Sequence, residues 1–251
     1  MDAALVALLV SCLDLTSLEG NETRDAIARL CADARAPLRQ LPEIHVAAVC
    51  VYPRFVSDAA QLVAGSGVRV ATVAAFPGGP TSRAATDREI AVALRAGAQE
   101  IDVVITRRYV HSENWDALRD EIQAFRSAAG SATLKVILAT GDLGDAAAVA
   151  RASHVALRAG ADFLKTSTGK EAVNATLPAG VVMARAIREY YLETGRRVGL
   201  KPAGGIRTAR AALEWLTLIR TELGAEWANP TLFRIGASSV LDDLRRTIHH
   251  D

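Results

Sequence analysis

The strongest constraint on the fold is an alternation of short apolar runs with longer segments of helical spacing. Eight apolar runs are expected to be buried parallel strands, namely Cys12–Leu15, Val46–Val51, Val68–Ala75, Glu100–Thr106, Thr133–Ala139, Asp162–Lys165, Val198–Lys201 and Leu232–Gly236. The segments between them are expected to be helices, among them Asn21–Arg35, Ser82–Ala96, Trp115–Ala129, Asp145–Ala159, Pro178–Thr194 and Thr208–Leu223. This alternation is typical of βα units that build a parallel sheet.

Eight such units can close into a barrel or extend into an open, doubly wound sheet. The length of 251 residues suits one barrel, which takes roughly 250 residues. No linker interrupts the units, and the chain has neither G-x-x-x-x-G-K nor a strand-led G-x-G-x-x-G motif. Glycines such as Gly97 and Gly160 stand where helices should end. We therefore predict a single α/β domain over residues 1–251, a (β/α)8 TIM barrel, with the open sheet as the alternative.

The apolar run Ala3–Val10 could be mistaken for the core of a signal peptide. Asp2 precedes it instead of a basic region, so we predict a short, amphipathic N-terminal cap helix. No other run approaches the roughly 18 apolar residues of a membrane span. Cys12, Cys31 and Cys50 are odd in number and form no C-x-x-C pair, which argues against a disulfide framework or a zinc site and fits a reducing cytoplasm.

Charge composition favours a small-molecule protein over a nucleic-acid binder. The chain has 29 basic and 28 acidic residues, a net charge of +1, and its charges are scattered along the sequence. A basic stripe, which nucleic-acid binding requires, is absent. The histidines show no metal-ligand spacing apart from the terminal pair, so no metal site is predicted.

Lysine is rare in this chain and occurs at strand ends or in a turn. Of the 29 basic residues only four are lysines, at Lys135, Lys165, Lys170 and Lys201. A lysine amine can be deprotonated by its surroundings and act as a nucleophile, whereas an arginine stays protonated. The pattern indicates amine chemistry, with chance as the alternative.

A carboxylate and two of these lysines are expected to meet at one end of the barrel. Lys165 and Lys201 end consecutive strands, so each ammonium would favour the neutral form of the other. The sequence leaves open which of them is the nucleophile, although Pro202 and a glycine turn suggest a more fixed position for Lys201. Asp102 lies inside an apolar strand and requires a partner, either in a structural salt bridge or in proton transfer.

Glycine-rich turns follow the late strands, where barrels often bind phosphate through backbone N–H groups. Gly204-Gly205 alone could be a tight turn into a helix capped by Thr208. Together with Gly236-Ala237-Ser238-Ser239 and with Gly169-Lys170, it predicts a phosphate site. Asp14 and Lys135 are weaker candidates, and Cys50 is most simply a small core residue.

The ordered series of strand motifs resembles the deoxyribose-phosphate aldolases, class I aldolases that act through a Schiff base. The resemblance covers nearly the whole chain and rests on Leu13-Asp14-Leu15-Thr16, Val49–Phe55, Ala71-Thr72-Val73, Glu100–Val104, Lys135-Val136-Ile137, Ala161–Lys170, Lys201–Thr208 and Phe233–Ser239. It implies that Lys165 forms the Schiff base, that Lys201 lowers the pKa of Lys165, and that Asp102 works with a water in proton transfer.

The same resemblance implies the substrate and the remaining site. By this resemblance 2-deoxy-D-ribose 5-phosphate would be cleaved reversibly to acetaldehyde and D-glyceraldehyde 3-phosphate, without metal or cofactor, because the protonated imine is the electron sink. The implied phosphate ligands are Gly169, Lys170, Gly204, Gly205, Gly236, Ser238 and Ser239. The implied supporting residues are Asp14, Lys135, Thr168 and Cys50.

Two other functions remain open, and two further expectations follow. The same Schiff base could act on another aldehyde, or the barrel could bind a phosphosugar without catalysis. The chain stops at His249-His250-Asp251 without the terminal tyrosine of some relatives, so its dependence on the substrate phosphate is expected to differ. A barrel with apolar helix faces is expected to form a homodimer.

Overall fold

Eight parallel strands form the centre of the computed structural model, which describes residues 1–248. They are β1 (Leu13–Ser17), β2 (Ala48–Val51), β3 (Arg69–Ala74), β4 (Glu100–Val104), β5 (Thr133–Ile137), β6 (Phe163–Lys165), β7 (Gly199–Lys201) and β8 (Ile235–Ala237). Each strand pairs with its neighbours in chain order, and β1 also pairs with β8. The eight predicted strands are confirmed, each shorter or shifted by one to three residues.

The sheet closes between β7 and the segment that leads into β8. Leu200 is bridged to Phe233 and Ala203 to Gly236, and the backbone N–H of Arg234 donates to the carbonyl of Leu200 at 3.1 Å. Closure confirms the single (β/α)8 barrel and excludes the open sheet. The carboxyl ends of all strands therefore meet at one end of the barrel, where barrel enzymes hold their sites.

Ten α-helices accompany the strands within residues 1–248. They are α1 (Ala3–Ser11), α2 (Arg24–Arg35), α3 (Val56–Leu62), α4 (Arg83–Arg95), α5 (Arg107–His111), α6 (Trp115–Ala129), α7 (Ala146–Arg158), α8 (Leu177–Thr194), α9 (Ala209–Glu222) and α10 (Val240–Ile248). Seven begin at a side chain that accepts the backbone N–H three residues on, which satisfies one of the free donors of a first turn; these caps are Asp2, Thr23, Ser82, Asn114, Asp145, Thr176 and Thr208. Gly97 and Gly160 follow α4 and α7 with φ of +106° and +104°, as expected of glycines that end helices.

The N-terminal helix is present, but its character differs from the expectation. Asp2 caps α1 by accepting from the backbone N–H of Leu5 at 2.7 Å. The helix packs against α9 and α10 and buries Val6, Leu9 and Val10. It is apolar on nearly every side instead of amphipathic, because alanines fill its exposed positions.

Two short helices were not foreseen from the sequence. The helix α3 follows β2 and a 3-10 turn at Pro53–Phe55, and α5 starts where the predicted fourth strand was expected to end. Both are too short to show a clear helical period. The terminal segment His249-His250-Asp251 lies outside the described residues.

Candidate active site

Four neighbouring strands bring three lysines and an aspartate together inside the barrel. Asp102 of β4 pairs in register with Lys135 of β5, and Lys165 of β6 pairs with Lys201 of β7. Residues in register on parallel strands point to the same face of the sheet. All four side chains are buried. The strand alternation therefore directs them into the barrel interior.

Asp102 is the acceptor that joins the three lysines. Its Oδ2 accepts from Lys165 Nζ at 2.8 Å and from Lys201 Nζ at 2.7 Å, and its Oδ1 accepts from Lys135 Nζ at 2.8 Å. The structure thus contains the salt bridge expected as one alternative for Asp102. This salt bridge also places the carboxylate beside the amine that would carry out chemistry, so the two alternatives are compatible.

Asp14 and Glu100 extend this arrangement toward a buried arginine. Asp14 accepts from Lys201 through Oδ2 and from Arg234 Nη1 through Oδ1 at 2.6 Å. Glu100 lies 2.6 Å from Lys135 Nζ and accepts from Arg234 Nη2 at 2.9 Å. We call Asp14, Glu100, Asp102, Lys135, Lys165, Lys201 and Arg234 the buried cluster.

The sequence reasoning did not single out Glu100 or Arg234. Glu100 lies two residues before Asp102 on β4, so strand alternation turns both side chains to the same face. Arg234 stands between the apolar Phe233 and Ile235, a charge inside a strand-like run, as Asp102 is. Strand periodicity was the signal that could have found both residues.

The buried cluster has one more cationic group than carboxylates. Its members are four cations, Lys135, Lys165, Lys201 and Arg234, and three carboxylates, Asp14, Glu100 and Asp102. An unbalanced buried charge is costly, and a group in that situation shifts its pKa toward the neutral form. One lysine is therefore favoured to lose its proton.

The two lysines on β6 and β7 differ in the direction of their pKa shift. Burial lowers the pKa of Lys165, and the ammonium of Lys201 lowers it further, against the opposing effect of Asp102. Burial also acts to lower the pKa of Lys201, but Asp102 and Asp14 together outweigh it and raise that pKa. Lys165 is thus the lysine that most readily becomes a free amine.

The carboxylates of the buried cluster stay ionised. Burial acts to raise the pKa of Asp102, but the three lysines around it lower that pKa well below its usual range. Burial likewise opposes ionisation of Asp14, and Lys201 and Arg234 lower its pKa below the usual range. These carboxylates can therefore accept a proton only transiently.

A cavity of about 150 Å³ opens at the carboxyl ends of β6, β7 and β8. Lys165 is part of its wall, whereas Lys201, Lys135 and Asp102 are not. Turns after the strands supply much of the rest of the wall, including Thr168, Lys170, Gly205, Arg207, Ser238 and Ser239. Of the buried cluster, Lys165 is thus the member that a small molecule in this cavity would contact.

Two turns around the cavity carry backbone donors that face no protein acceptor. Among residues 1–248, no protein atom accepts from the backbone N–H of Gly205, Ser238 or Ser239, and both serine hydroxyls are also without a protein partner. Ser238 and Ser239 directly precede α10, so the positive end of that helix dipole lies beside them. Such donors at a helix N-terminus are suited to an anion. We call Gly204-Gly205 and Ser238-Ser239 the anion turns.

Two of the glycines expected at the phosphate have N–H groups that are already used within the protein. The N–H of Gly169 donates to Glu171 Oε2 at 3.2 Å, and that of Gly236 donates to the carbonyl of Pro202 at 2.9 Å. Gly236 also leaves room, because a Cβ there would lie 3.1 Å from Cε of Lys201 and 2.9 Å from the Cβ of Ala203. Both glycines still line the cavity.

The remaining predicted residues lie at the cavity or beside the buried cluster. Lys170 pairs through Nζ with Glu19 at 2.9 Å. The hydroxyl of Thr168 donates to Glu171 at 2.7 Å and accepts from the backbone N–H of Lys170. Cys50 is fully buried on β2, and burial raises the pKa of its thiol despite the nearby Lys201. The thiol of Cys50 is thus held in its neutral form.

No group of three or more His, Cys, Asp and Glu side chains among residues 1–248 could hold a metal ion. No helix in the described part of the chain is both long enough and apolar enough to cross a membrane.

Comparison with known proteins identifies the family of the chain. The human deoxyribose-phosphate aldolase is 50% identical over 260 residues, covering 99% of this chain and 82% of that protein. The deoxyribose-phosphate aldolase of Agrobacterium fabrum is 45% identical over 240 residues, covering 95% of this chain and 89% of the relative. A crystal structure from Toxoplasma gondii, provisionally named a deoxyribose-phosphate aldolase, superposes with a TM-score of 0.87 at 26% identity and covers 98% and 94% of the two chains. Residues 8–245 match the model of the DeoC/LacD family aldolases, and the chain therefore belongs to that family.

Proposed function

We propose that this protein is a deoxyribose-phosphate aldolase that cleaves 2-deoxy-D-ribose 5-phosphate reversibly to acetaldehyde and D-glyceraldehyde 3-phosphate. One observation carries the proposal: Lys165 is the lysine of the buried cluster that lines the cavity, and its pKa is lowered. An amine that is both neutral and accessible can attack a carbonyl group. The names of the relatives support the choice of substrate.

Lys165 is the proposed nucleophile. In the synthetic direction its neutral Nζ adds to the carbonyl carbon of acetaldehyde, and loss of water gives a protonated imine. The imine draws electrons from the neighbouring carbon, so a proton leaves that carbon and an enamine forms. The enamine adds to the aldehyde of glyceraldehyde 3-phosphate, and hydrolysis of the resulting imine releases the sugar and regenerates the amine.

Asp102 and Lys201 support this chemistry from behind Lys165. Asp102 is bonded to Lys165 Nζ and is the carboxylate placed to work with a water in proton transfer, as the resemblance implies. Lys201 keeps its proton and lowers the pKa of Lys165 through its charge. Asp14 and Lys135 hold the ammonium of Lys201 and the carboxylate of Asp102 in place. Thr168 and Cys50 remain proposed supporting residues.

The anion turns are the proposed binding site of the substrate phosphate. The N–H groups of Gly205, Ser238 and Ser239 and the two serine hydroxyls supply donors, and the ammonium of Lys170 supplies charge. Gly204 belongs to the same turn. Gly169 and Gly236 contribute to the cavity wall, since their N–H groups donate elsewhere in this structure.

The proposal also includes a cellular compartment and an oligomeric state. Three buried cysteines without disulfides fit a cytoplasmic protein. The reaction through the imine requires neither metal nor cofactor. A homodimer stays a prediction, for which the exposed Leu192 and Val92 on α8 and α4 offer apolar contacts.

Trapping with acetaldehyde and borohydride tests the proposal directly. Reduction of the imine would leave an ethyl group on the reacting lysine, and peptide mass mapping would locate it. We expect a single adduct on Lys165 and release of acetaldehyde from 2-deoxyribose 5-phosphate in a coupled assay. An adduct on Lys201 would reverse the two roles. No adduct would favour a phosphosugar-binding barrel, and an adduct without cleavage of this sugar would indicate another aldehyde substrate.

A further inference from the structure

The turn Thr168–Lys170 is held by a buried carboxylate that no sequence pattern singled out. Glu171 accepts from the backbone N–H of Thr168 at 3.0 Å, from the Thr168 hydroxyl at 2.7 Å and from the backbone N–H of Gly169 at 3.2 Å. Its side chain is only 3% exposed. Glu171 therefore occupies, from within the protein, donors that a bound anion could otherwise use.

Arg107 fixes this carboxylate and links it to three other loops. Its Nη2 donates to Glu171 Oε1 at 3.2 Å and to the carbonyl of Pro77 at 3.1 Å, and its Nη1 donates to the carbonyl of Gly78 at 3.1 Å. Its Nε lies 3.1 Å from Asp142 Oδ2. One guanidinium group thus joins the loops that follow β3, β4, β5 and β6, and the last of these carries Lys170.

A second carboxylate contacts the same turn from the solvent side. Glu19 Oε2 lies 2.9 Å from Lys170 Nζ, and Glu19 also lines the cavity. Its side chain is 72% exposed, in contrast to Glu171. Its loop is braced, because Glu22 accepts from the backbone N–H groups of Glu19 and Gly20, and Arg54 pairs with Glu22 at 3.1 Å. The loop therefore presents Glu19 to Lys170.

We propose that these two carboxylates act on phosphate binding in opposite directions. Glu171, held by Arg107, is a positioning residue that fixes the turn on which Lys170 is carried toward the anion turns. Glu19 is a counter-ion that pairs with Lys170 until the phosphate of the substrate displaces it. This inference rests on the proposed function, because it specifies how that site selects a phosphorylated sugar.

The energetic difference between the two contacts follows from their exposure. An exposed ion pair contributes about 0.2–1 kcal/mol, so a phosphate dianion can displace Glu19 at little cost. Removing the charge of Glu19 should therefore strengthen phosphate binding by about 1.4- to fivefold. The contacts of Arg107 are part-buried and span several loops, so its loss should loosen the turn and weaken phosphate binding by about fivefold or more.

The test compares cleavage of 2-deoxyribose 5-phosphate with cleavage of unphosphorylated 2-deoxyribose. The variants are Arg107→Met and Glu19→Gln, and their matched controls are Arg108→Met and Glu43→Gln, which change exposed residues outside the cavity wall. The measurements are kcat and KM for both sugars and the inhibition constant of inorganic phosphate. Arg107→Lys keeps the charge and should recover part of the lost discrimination.

Arg107→Met should raise KM for the phosphorylated sugar more than it lowers kcat. It should therefore lower the preference for the phosphorylated sugar, which is kcat/KM for 2-deoxyribose 5-phosphate divided by kcat/KM for 2-deoxyribose. Glu19→Gln should lower KM for the phosphorylated sugar and tighten inhibition by inorganic phosphate. The inference would be overturned if kcat/KM fell equally for both sugars, or if neither variant changed the preference for the phosphorylated sugar relative to its control. Failure of the wild type to cleave the sugar or to trap acetaldehyde would count against the proposed function instead.

Discussion

The buried cluster and the anion turns meet at Lys165 but are built in different ways. In the buried cluster every charged side chain belongs to or directly borders a strand, is almost fully removed from solvent, and bonds to another member of the cluster. In the anion turns the donors are mainly backbone N–H groups and exposed hydroxyls without a protein acceptor. The charged groups of the buried cluster are paired within the protein, whereas the donors of the anion turns are available to a ligand.

This difference determines what each region can do. Charges in the buried cluster set one another's pKa, so a change there acts on the stability of the barrel, on the reactivity of Lys165, or on both. Donors in the anion turns are hydrated when free, so a change there should alter ligand affinity with little effect on stability. Substitutions in the two regions should therefore separate catalysis and stability from binding.

The largest effect is expected from removal of the proposed nucleophile. Lys165→Met should lower kcat/KM for retro-aldol cleavage on the order of 10⁴-fold or more, because no other amine of the buried cluster lines the cavity. The same change should not lower the midpoint of thermal unfolding, since it removes the surplus cation of the buried cluster. Acetaldehyde release and calorimetry would measure the two effects. Retained cleavage, or severe destabilisation, would contradict this account of Lys165.

Replacement of the neighbouring lysine should reduce activity less and alter its pH dependence. Lys201→Met should lower kcat/KM at neutral pH about 10²- to 10⁴-fold, because the pKa of Lys165 rises when the cation beside it is lost and Asp102 is left less compensated. Lys165 is then protonated over a wider range, so the acid limb of the kcat/KM profile should move to higher pH. A profile measured from acid to alkaline pH would check this, and an unmoved acid limb would exclude the electrostatic role of Lys201.

Arg234 should matter for stability more than for chemistry. Arg234→Met removes the guanidinium group that bonds to both Asp14 and Glu100 inside the barrel and should lower the free energy of unfolding by about 3 kcal/mol. Urea denaturation at neutral pH would measure the loss. Trapping of acetaldehyde on Lys165 by the folded fraction should persist, and its disappearance would indicate that Arg234 acts on the chemistry itself.

The pH dependence of that stability has a defined sign. The ion pairs lower the pKa of Asp14 and Glu100 from ordinary values of 3.8 and 4.5, so their stabilisation is present above those values and is lost as the pH falls below them. Arg234→Met should therefore shrink the difference in unfolding free energy between neutral and acid solution. An unchanged difference would place the acid sensitivity elsewhere in the barrel.

Most of the buried cluster could be predicted from the sequence, because successive side chains of a strand point to opposite faces of the sheet. An aspartate or lysine inside an apolar strand must point inward or outward, and the lysines at the ends of consecutive strands had to become neighbours once the barrel closed. Even so, Glu100 and Arg234 were passed over, although they obey the same rule as Asp102. The choice between Lys165 and Lys201 depended on which side chain reaches the cavity, which a linear pattern does not contain.

The loops were predicted less completely for a physical reason. The glycines of the anion turns were identified from their positions after the late strands, but the acceptors of individual N–H groups depend on the path of each loop. Glu171 next to Lys170, and Arg107 from a loop two strands away, meet only in three dimensions. The short helices α3 and α5 were missed because five to seven residues give no resolved helical period.

The smallest effect is expected in the anion turns, where it should appear in binding alone. Ser238→Ala removes a hydroxyl without a protein partner and should raise KM for 2-deoxyribose 5-phosphate by about tenfold, the value of one hydrogen bond to a charged group, with kcat little changed. KM for unphosphorylated 2-deoxyribose and the free energy of unfolding should stay close to wild type, because the hydroxyl is exposed and supports no other residue. Steady-state kinetics with both sugars and urea denaturation would measure these quantities. If Ser238→Ala lowered kcat or stability as strongly as a change in the buried cluster, the separation of the two regions would fail, because a turn residue would then be coupled to the charges around Lys165.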